Sequence, residues 1–250
     1  MQLDEARDAL LRELDLLIEG VASASDGDYD RPVRCDGWRV SDLLQHVARA
    51  PAAGAEGLRR MIAGNAEQPA EPATPPPDPP AIAAALAEGR AEFAPALAAV
   101  TEESLANAFP LYFITVPGVA ALPLMLTEIG THRNDLDWAL GERVPLPAAV
   151  IEAETFLVPL MLLRVGQGAP VRPPTPVSYR LTGSSFSFTL SFSDGAWTLG
   201  EHDPVSCEIA GDDSSVLLFA LGRIRADDPT LKVVGDKGLA RAFKTYLPGP

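Results

Sequence analysis

The stretch from Leu124 to Gly141 constrains the fold more than any other part of the chain. The apolar residues in and just before it recur with the spacing of an α-helix; they are Leu122, Met125, Leu126, Ile129, Leu136 and Leu140. Glu128 and His132 are four residues apart, so a helix places both on one face, at the edge of this stripe. A carboxylate and an imidazole in that position need a partner, which is each other, a neighbouring helix or a metal ion.

A second histidine has the same kind of environment. The chain contains three histidines, and His46 also lies at the edge of an apolar helical stripe, formed by Leu43, Leu44, Val47 and Ala48. Trp38, just before this helix, is interpreted as a large apolar anchor. We predict that His46, Glu128 and His132 meet around a divalent metal ion.

The predicted ligands have a definite chemistry. Two imidazoles and one carboxylate suit zinc, iron or nickel better than magnesium, and three protein ligands leave a position for water or substrate, as in catalytic sites. Asp42 would then accept a hydrogen bond from the ring nitrogen of His46 that the metal does not use. Since Glu-x-x-x-His is a short motif, an alternative stays open: a surface ion pair between Glu128 and His132, with His46 a core histidine bonded to Asp42.

Charge and cysteine usage exclude several classes of partner. The chain has 20 Lys and Arg against 34 Asp and Glu, a net charge of −14. Such a surface repels phosphate backbones and anionic lipid, so we expect neither a nucleic-acid nor a membrane partner. Cys35 and Cys207 are isolated, and residues 1–5 show no signal-peptide pattern, so we expect a cytoplasmic protein. The uncharged segment Phe109–Thr127 is interrupted by prolines and is interpreted as a loop followed by a buried helix.

The remaining pattern predicts two domains. Amphipathic helices are predicted over 3–21, around His46 and on to Ile62, over 82–100 and over the central stretch, which together favour an antiparallel four-helix bundle. Residues 67–80, with seven prolines, are interpreted as a polyproline-like connector, and 109–118 as a loop. A further helix is predicted over 147–165.

The pattern then changes to alternation with period two, which predicts strands over 177–181 and 186–192, a hairpin turn at 193–196, and later strands over 205–209 and 231–234. Helices are predicted over 214–221 and 236–246. The fold class is therefore α+β, with a helical bundle over residues 1–168 and a smaller mixed domain over 169–250.

Two segments resemble a known family. They are Trp38-Arg-Val-Ser-Asp-Leu-Leu-Gln-His46-Val and Glu128-Ile-Gly-Thr-His132-Arg-Asn-Asp-Leu-Asp-Trp-Ala-Leu-Gly141. They resemble the mycothiol-dependent maleylpyruvate isomerase family, part of the DinB-like superfamily of metal-binding four-helix bundles. Residues 203–236 look like that family's C-terminal domain, which is similar to sterol carrier folds.

The resemblance implies zinc, or another divalent transition metal, at His46, Glu128 and His132, and mycothiol as cosubstrate. It also implies a mechanism in which a thiolate adds to a cis double bond, the bond rotates, and elimination releases the trans isomer. An arginine of the C-terminal domain is then expected to bind the anionic substrate. Arg223 is our candidate, because a guanidinium matches a carboxylate in bidentate geometry. Its alternative role is to cap the preceding helix. Asp135 is interpreted, with Asp137, as a solvated helix face, or alternatively as a support for His132.

These observations favour a thiol-dependent isomerase or transferase that acts on a small electrophile as a monomer or homodimer. One alternative is a non-enzymatic protein that binds a small molecule or lipid and keeps a vestigial metal site. In that case the alternating Phe186, Phe188, Leu190 and Phe192 would line its cavity, although such a stripe is more often the core face of a sheet. Another is a regulator that has lost catalysis.

Overall fold

The structure is a computed structural model of the 250-residue chain, and it describes residues 1–71, 78–200 and 202–249. The contacts within the described chain divide it into two compact units, Met1–Ala153 and Glu154–Pro250. This division falls inside the sixth helix. The domain boundary that we predict, between residues 168 and 169, coincides with the end of that helix and stays a prediction.

The first unit is a helical bundle. Its helices are α1 (Leu3–Ser23), α2 (Val40–Val47), α3 (Ala50–Ile62), α4 (Pro79–Ala98) and α5 (Ala121–Leu140), followed by the start of α6 (Ala148–Gly168). Helix α1 packs against α4 and α5, and α3 packs against α4. These contacts bury the periodic leucines of α1, among them Leu10, Leu14 and Leu17. The predicted helices are confirmed.

Only Ala48 and Arg49 lie between α2 and α3, and α3 has a proline in its first turn. Pro51 lies in the first turn of α3, where its missing N–H removes no helical hydrogen bond. The amide of Ala53 already bonds the carbonyl of Arg49 at 2.9 Å, so the new helix starts at once. Helices α2 and α3 both pack against α4 and α5.

The segment before α5 differs from the prediction of a plain loop. Residues Ala108–Pro110 (β1) and Thr115–Pro117 (β2) form a small antiparallel hairpin. Phe109 is fully buried, and this burial explains why an uncharged segment is ordered here. The predicted connector lies partly outside the described residues, since residues 72–77 are among those not described.

The second unit contains a sheet with helices. Among the described residues its strands are β3 (Val177–Thr182), β4 (Ser187–Ser193), β5 (Ala196–Leu199), β6 (Cys207–Ala210) and β7 (Lys232–Gly235), in the order β5-β4-β3-β6-β7. Strands β3 and β6 are parallel, and the other neighbours are antiparallel. Helices α7 (Asp213–Ala220) and α8 (Lys237–Tyr246) pack on strands of this sheet. The predicted α+β class, helical first and mixed afterwards, is confirmed.

Two details of the sheet follow from the sequence. Asp194 and Gly195 both have positive φ, at 52° and 80°, and form the tight hairpin turn predicted between β4 and β5. Leu190 and Phe192 are buried in the sheet's core, whereas Phe186 and Phe188 are half-buried and stack on each other. The similarity of this unit to sterol carrier folds stays a prediction. None of the helices described is both long and apolar enough to cross a membrane.

Candidate metal centre

The three predicted ligands come together. Among the described residues, His46, Glu128 and His132 each offer a donor atom within 4.8 Å of the other two. Nε2 of His46 lies 2.7 Å from Oε1 of Glu128, and Nε2 of His132 lies 3.7 Å from the same oxygen. Helix α2 carries the first residue and α5 the other two, so the cluster forms where these helices pack.

The donor spacing fits a metal ion. Ligands held tetrahedrally at about 2.1 Å from zinc lie about 3.4 Å from one another, and the two observed distances of 2.7 and 3.7 Å are on either side of this value. Two nitrogens and one oxygen are also the donor types that zinc and similar metals prefer. His46, Glu128 and His132 would therefore hold the ion with small side-chain movements.

The alternative interpretation of His46 is wrong. Its side chain is 43% exposed, so it is not a core histidine. The carboxylate of Asp42 accepts a hydrogen bond from the backbone N–H of Arg39 at 2.8 Å, which closes the first turn of α2. His132, in contrast, is 6% exposed and belongs to the interior. One candidate ligand thus faces solvent, and another lies in the interior of the bundle.

Asp135 lies beside the buried candidate ligand His132. It is fully buried, and its Oδ2 lies 3.4 Å from Nδ1 of His132. A carboxylate on the far ring nitrogen orients an imidazole and leaves the other nitrogen for a metal. The interpretation of Asp135 as part of a solvated face is therefore wrong. Asp137 is half-buried: it pairs with Arg133, and burial raises its pKa, whereas the charge of Arg133 lowers it.

Other side chains surround Asp135. Nη2 of Arg34 lies 3.4 Å from its Oδ1, and Sγ of Cys35 lies 3.5 Å from its Oδ2. Cys35, His132 and Asp135 form a second group with donor atoms within 4.8 Å of one another. The guanidinium of Arg34 already compensates the charge of Asp135, so this group is better suited to orienting His132 than to holding a second cation.

A tight turn brings Trp38 to the site. Gly37 has a φ of 80°, and the backbone N–H of Trp38 donates to the carbonyl of Cys35 at 3.0 Å. The indole of Trp38 is half-buried and stacks on His132, with ring centroids 6.1 Å apart, and is tilted against His46 at 5.1 Å. The ring of Trp38 thus contacts both imidazoles. The sequence signal for this role is only its place before the helix of His46.

A cavity of about 480 Å³ lies beside the site, and His46 and Trp38 are part of its wall. Gln45, Arg49 and Tyr112 also line it. The sequence analysis did not single out these three residues.

Arg223 belongs to the second unit. It follows α7, and its Nη1 donates to the carbonyl of Leu221 at 2.9 Å, a contact that matches its alternative role as a helix cap. Binding of substrate by Arg223 stays a prediction.

Comparison with known proteins identifies the family of the chain. The family model described as mycothiol maleylpyruvate isomerase N-terminal domain matches residues 9–137, which is 129 of 250 residues and contains all three candidate ligands. Two solved structures are similar: a crystal structure of the mycothiol-dependent maleylpyruvate isomerase and one of a histidine-to-alanine mutant of it. Their sequence identities are 14% and 13%, and both have a TM-score of 0.66 and cover 93% of each chain, which shows a common fold. No curated protein matches the chain significantly. The chain belongs to the family of the mycothiol maleylpyruvate isomerase N-terminal domain.

Proposed function

We propose that the protein is a metal-dependent enzyme that uses a low-molecular-weight thiol, mycothiol, to isomerise a small electrophile or to transfer the thiol, through its sulfur atom, to that electrophile. The observation that carries this proposal is the convergence of His46, Glu128 and His132 within 4.8 Å. Membership of the family supports the choice of thiol. The isolated cysteines favour a cytoplasmic location.

Each residue of the candidate site has a separate role in this proposal. His46, Glu128 and His132 would hold a divalent transition metal, zinc in our proposal, and Asp135, 3.4 Å from Nδ1 of His132, would orient that ring. When bound, such a metal lowers the pKa of a coordinated thiol, so that the thiol reacts as a thiolate at neutral pH. Trp38 shields the imidazoles from bulk water on one side. Arg223 is our proposed partner for an anionic substrate.

The first test is metal content. Elemental analysis of the purified full-length chain is expected to find about one zinc or similar ion per chain. His46→Ala and His132→Ala are expected to lose most of it, and the exposed position of His46 makes the first variant the safer one for folding. His202→Ala is the matched control, because this third histidine is exposed and lies outside the cluster.

The second test is turnover. The metal-loaded chain is expected to convert a cis-conjugated substrate such as maleylpyruvate only when mycothiol is present. A wild-type protein that is fully folded and binds no divalent metal after supplementation contradicts the proposal. So does turnover that is unchanged in His46→Ala.

A further inference from the structure

The outer face of α6 carries two large apolar side chains. Phe156 and Leu160 are 47% and 48% exposed, and they are four residues apart on this helix. Residues with this spacing lie on the same helix face, about one turn apart. Leu163, which is half-buried, lies three residues further on. Single exposed apolar residues are common on protein surfaces, whereas adjacent ones on one helix face form a patch that a partner can cover.

Charged residues of opposite sign lie at the two ends of this patch. Glu152 is four residues before Phe156, and Arg164 is four residues after Leu160. The side chain of Glu152 is 55% exposed, and it pairs with the N-terminal amino group of Met1. Arg164 is exposed, and its guanidinium makes no ion pair with any carboxylate in the described part of the chain. Glu152, Phe156, Leu160 and Arg164 are together called the α6 ridge.

The α6 ridge is complementary to itself in the reverse direction. If two copies of α6 pack antiparallel, with a two-fold axis level with Val158, Phe156 of each copy lies against Leu160 of the other. The same axis places Glu152 of each copy opposite Arg164 of the other. Apolar residues then meet apolar residues, and each charge meets the opposite charge. A parallel pairing would place like charges opposite one another, which is unfavourable.

The charge of the chain favours a second copy as the partner. At a net charge of −14, two copies repel each other at long range. The Debye length is about 8 Å at physiological ionic strength, so this repulsion is largely screened, whereas ion pairs in direct contact are screened less. An acidic protein of another sequence would attract Arg164 and repel Glu152. A second copy, packed antiparallel, satisfies both residues.

We propose that two copies of the chain associate through the α6 ridge, antiparallel about a two-fold axis, with Phe156 and Leu160 at the centre and a Glu152–Arg164 ion pair at each end. Because the same surface is used by both copies, the assembly closes at two. The contact is smaller than an obligate dimer interface, which usually buries about 2,000 Å² or more, so the dimer dissociates on dilution. No residue of the candidate metal centre takes part.

The first test is the oligomeric state of the purified full-length chain. Sedimentation velocity over a wide range of protein concentration is expected to show a monomer that converts to a dimer. Phe156→Ser is expected to weaken the dimer about tenfold or more, because it removes an apolar side chain from the centre of the contact. Phe113→Ser is the matched control, since Phe113 is 64% exposed but belongs to the tip of the β1–β2 hairpin.

The second test exchanges the charges of the α6 ridge. Glu152→Arg and Arg164→Glu each place like charges opposite one another at both ends of the contact, and each is expected to weaken the dimer about tenfold. The double variant restores opposite charges and is expected to regain the wild-type affinity within about threefold. Glu152→Arg also removes the partner of the Met1 amino group, but the double variant shares this loss. Circular dichroism checks the fold of each variant.

The outcomes decide the inference without reference to metal content or turnover. A dimer that Phe156→Ser disrupts and the double charge exchange restores supports it. A chain that stays monomeric over the whole concentration range overturns it, and so does a dimer of equal affinity in wild type and Phe156→Ser. A double variant that is no better than the two single charge variants contradicts the antiparallel pairing. Since none of these measurements involves the candidate metal centre, the proposed function succeeds or fails separately.

Discussion

Oδ2 of Asp135 lies 3.4 Å from Nδ1 of His132, and the two residues are three positions apart on α5. The carboxylate is fully buried and its other oxygen faces Arg34. This pair links the candidate metal centre to the interior of the bundle. The buried imidazole thus has a carboxylate beside each ring nitrogen, since its Nε2 lies 3.7 Å from Oε1 of Glu128.

The first prediction concerns this support. Asp135→Asn is expected to weaken metal binding about 10- to 100-fold, because the amide holds the imidazole less strongly and no longer raises its basicity. Competition with a chromogenic chelator measures the affinity. Asp137→Asn is the control, since Asp137 pairs with Arg133 on a different side of the helix. An unchanged metal affinity in Asp135→Asn would show that Asp135 has no part in the site.

A second prediction concerns the ion pair between α1 and α5. Glu13 and Arg133 are 3% and 8% exposed, and Nε of the arginine donates to Oε2 of the glutamate at 2.6 Å. Glu13→Gln is expected to lower the free energy of unfolding by about 3 kcal/mol, because a buried guanidinium loses one of its charged partners. Urea denaturation measures the change.

The same helix offers a control for that measurement. Asp15 pairs with Arg90, and both side chains are partly exposed. Asp15→Asn is expected to change stability by less than about 1 kcal/mol. Similar effects of the two substitutions would contradict the assignment of the Glu13 pair to the core.

A third prediction tests close packing between α3 and the hairpin before α5. A Cβ atom on Gly57 would lie 2.6 Å from Cε2 of the buried Phe109 and 2.9 Å from the carbonyl oxygen of Pro110. Gly57→Ala is therefore expected to destabilise the protein by about 1–3 kcal/mol, although alanine is the better helix former. Thermal unfolding measures it. Gly168→Ala, at the end of α6, meets no atom within 4 Å and is expected to be neutral or slightly stabilising.

The fourth prediction concerns pH. Burial raises the pKa of the Cys207 thiol from 9.0 to about 11. A group whose pKa is higher in the folded state stabilises the protein below its unfolded pKa and ceases to do so as the pH rises. The free energy of unfolding is thus expected to fall between pH 9 and about 11, and to fall less in Cys207→Ala.

Thiol labelling gives an independent check. At pH 8 iodoacetamide is expected to modify the half-exposed Cys35 and to leave the buried Cys207 unmodified in the folded protein. Mass spectrometry distinguishes the two sites. Rapid labelling of Cys207 under native conditions would contradict its burial.

Local pattern was enough for most of the helices and strands and for the spacing of the two candidate ligands on α5. The leucine spacing of α1 and α5 predicted these helices, and Gly141, with a φ of 103°, ends α5 as expected for a glycine after a helix. The pair Glu128 and His132 was visible because four residues make about one helical turn. These features depend on neighbours along the chain, so the sequence by itself determined them.

Tertiary packing decided the rest. His46 and Glu128 are 82 positions apart, and only the contact of α2 with α5 brings them within 2.7 Å. Asp135 has the local pattern of a solvated acid, yet α5 is buried on nearly all sides at this point, so its carboxylate ended inside the bundle. Burial, and the distance between remote segments, depend on the whole fold. The spacing of residues along a single helix therefore does not predict them.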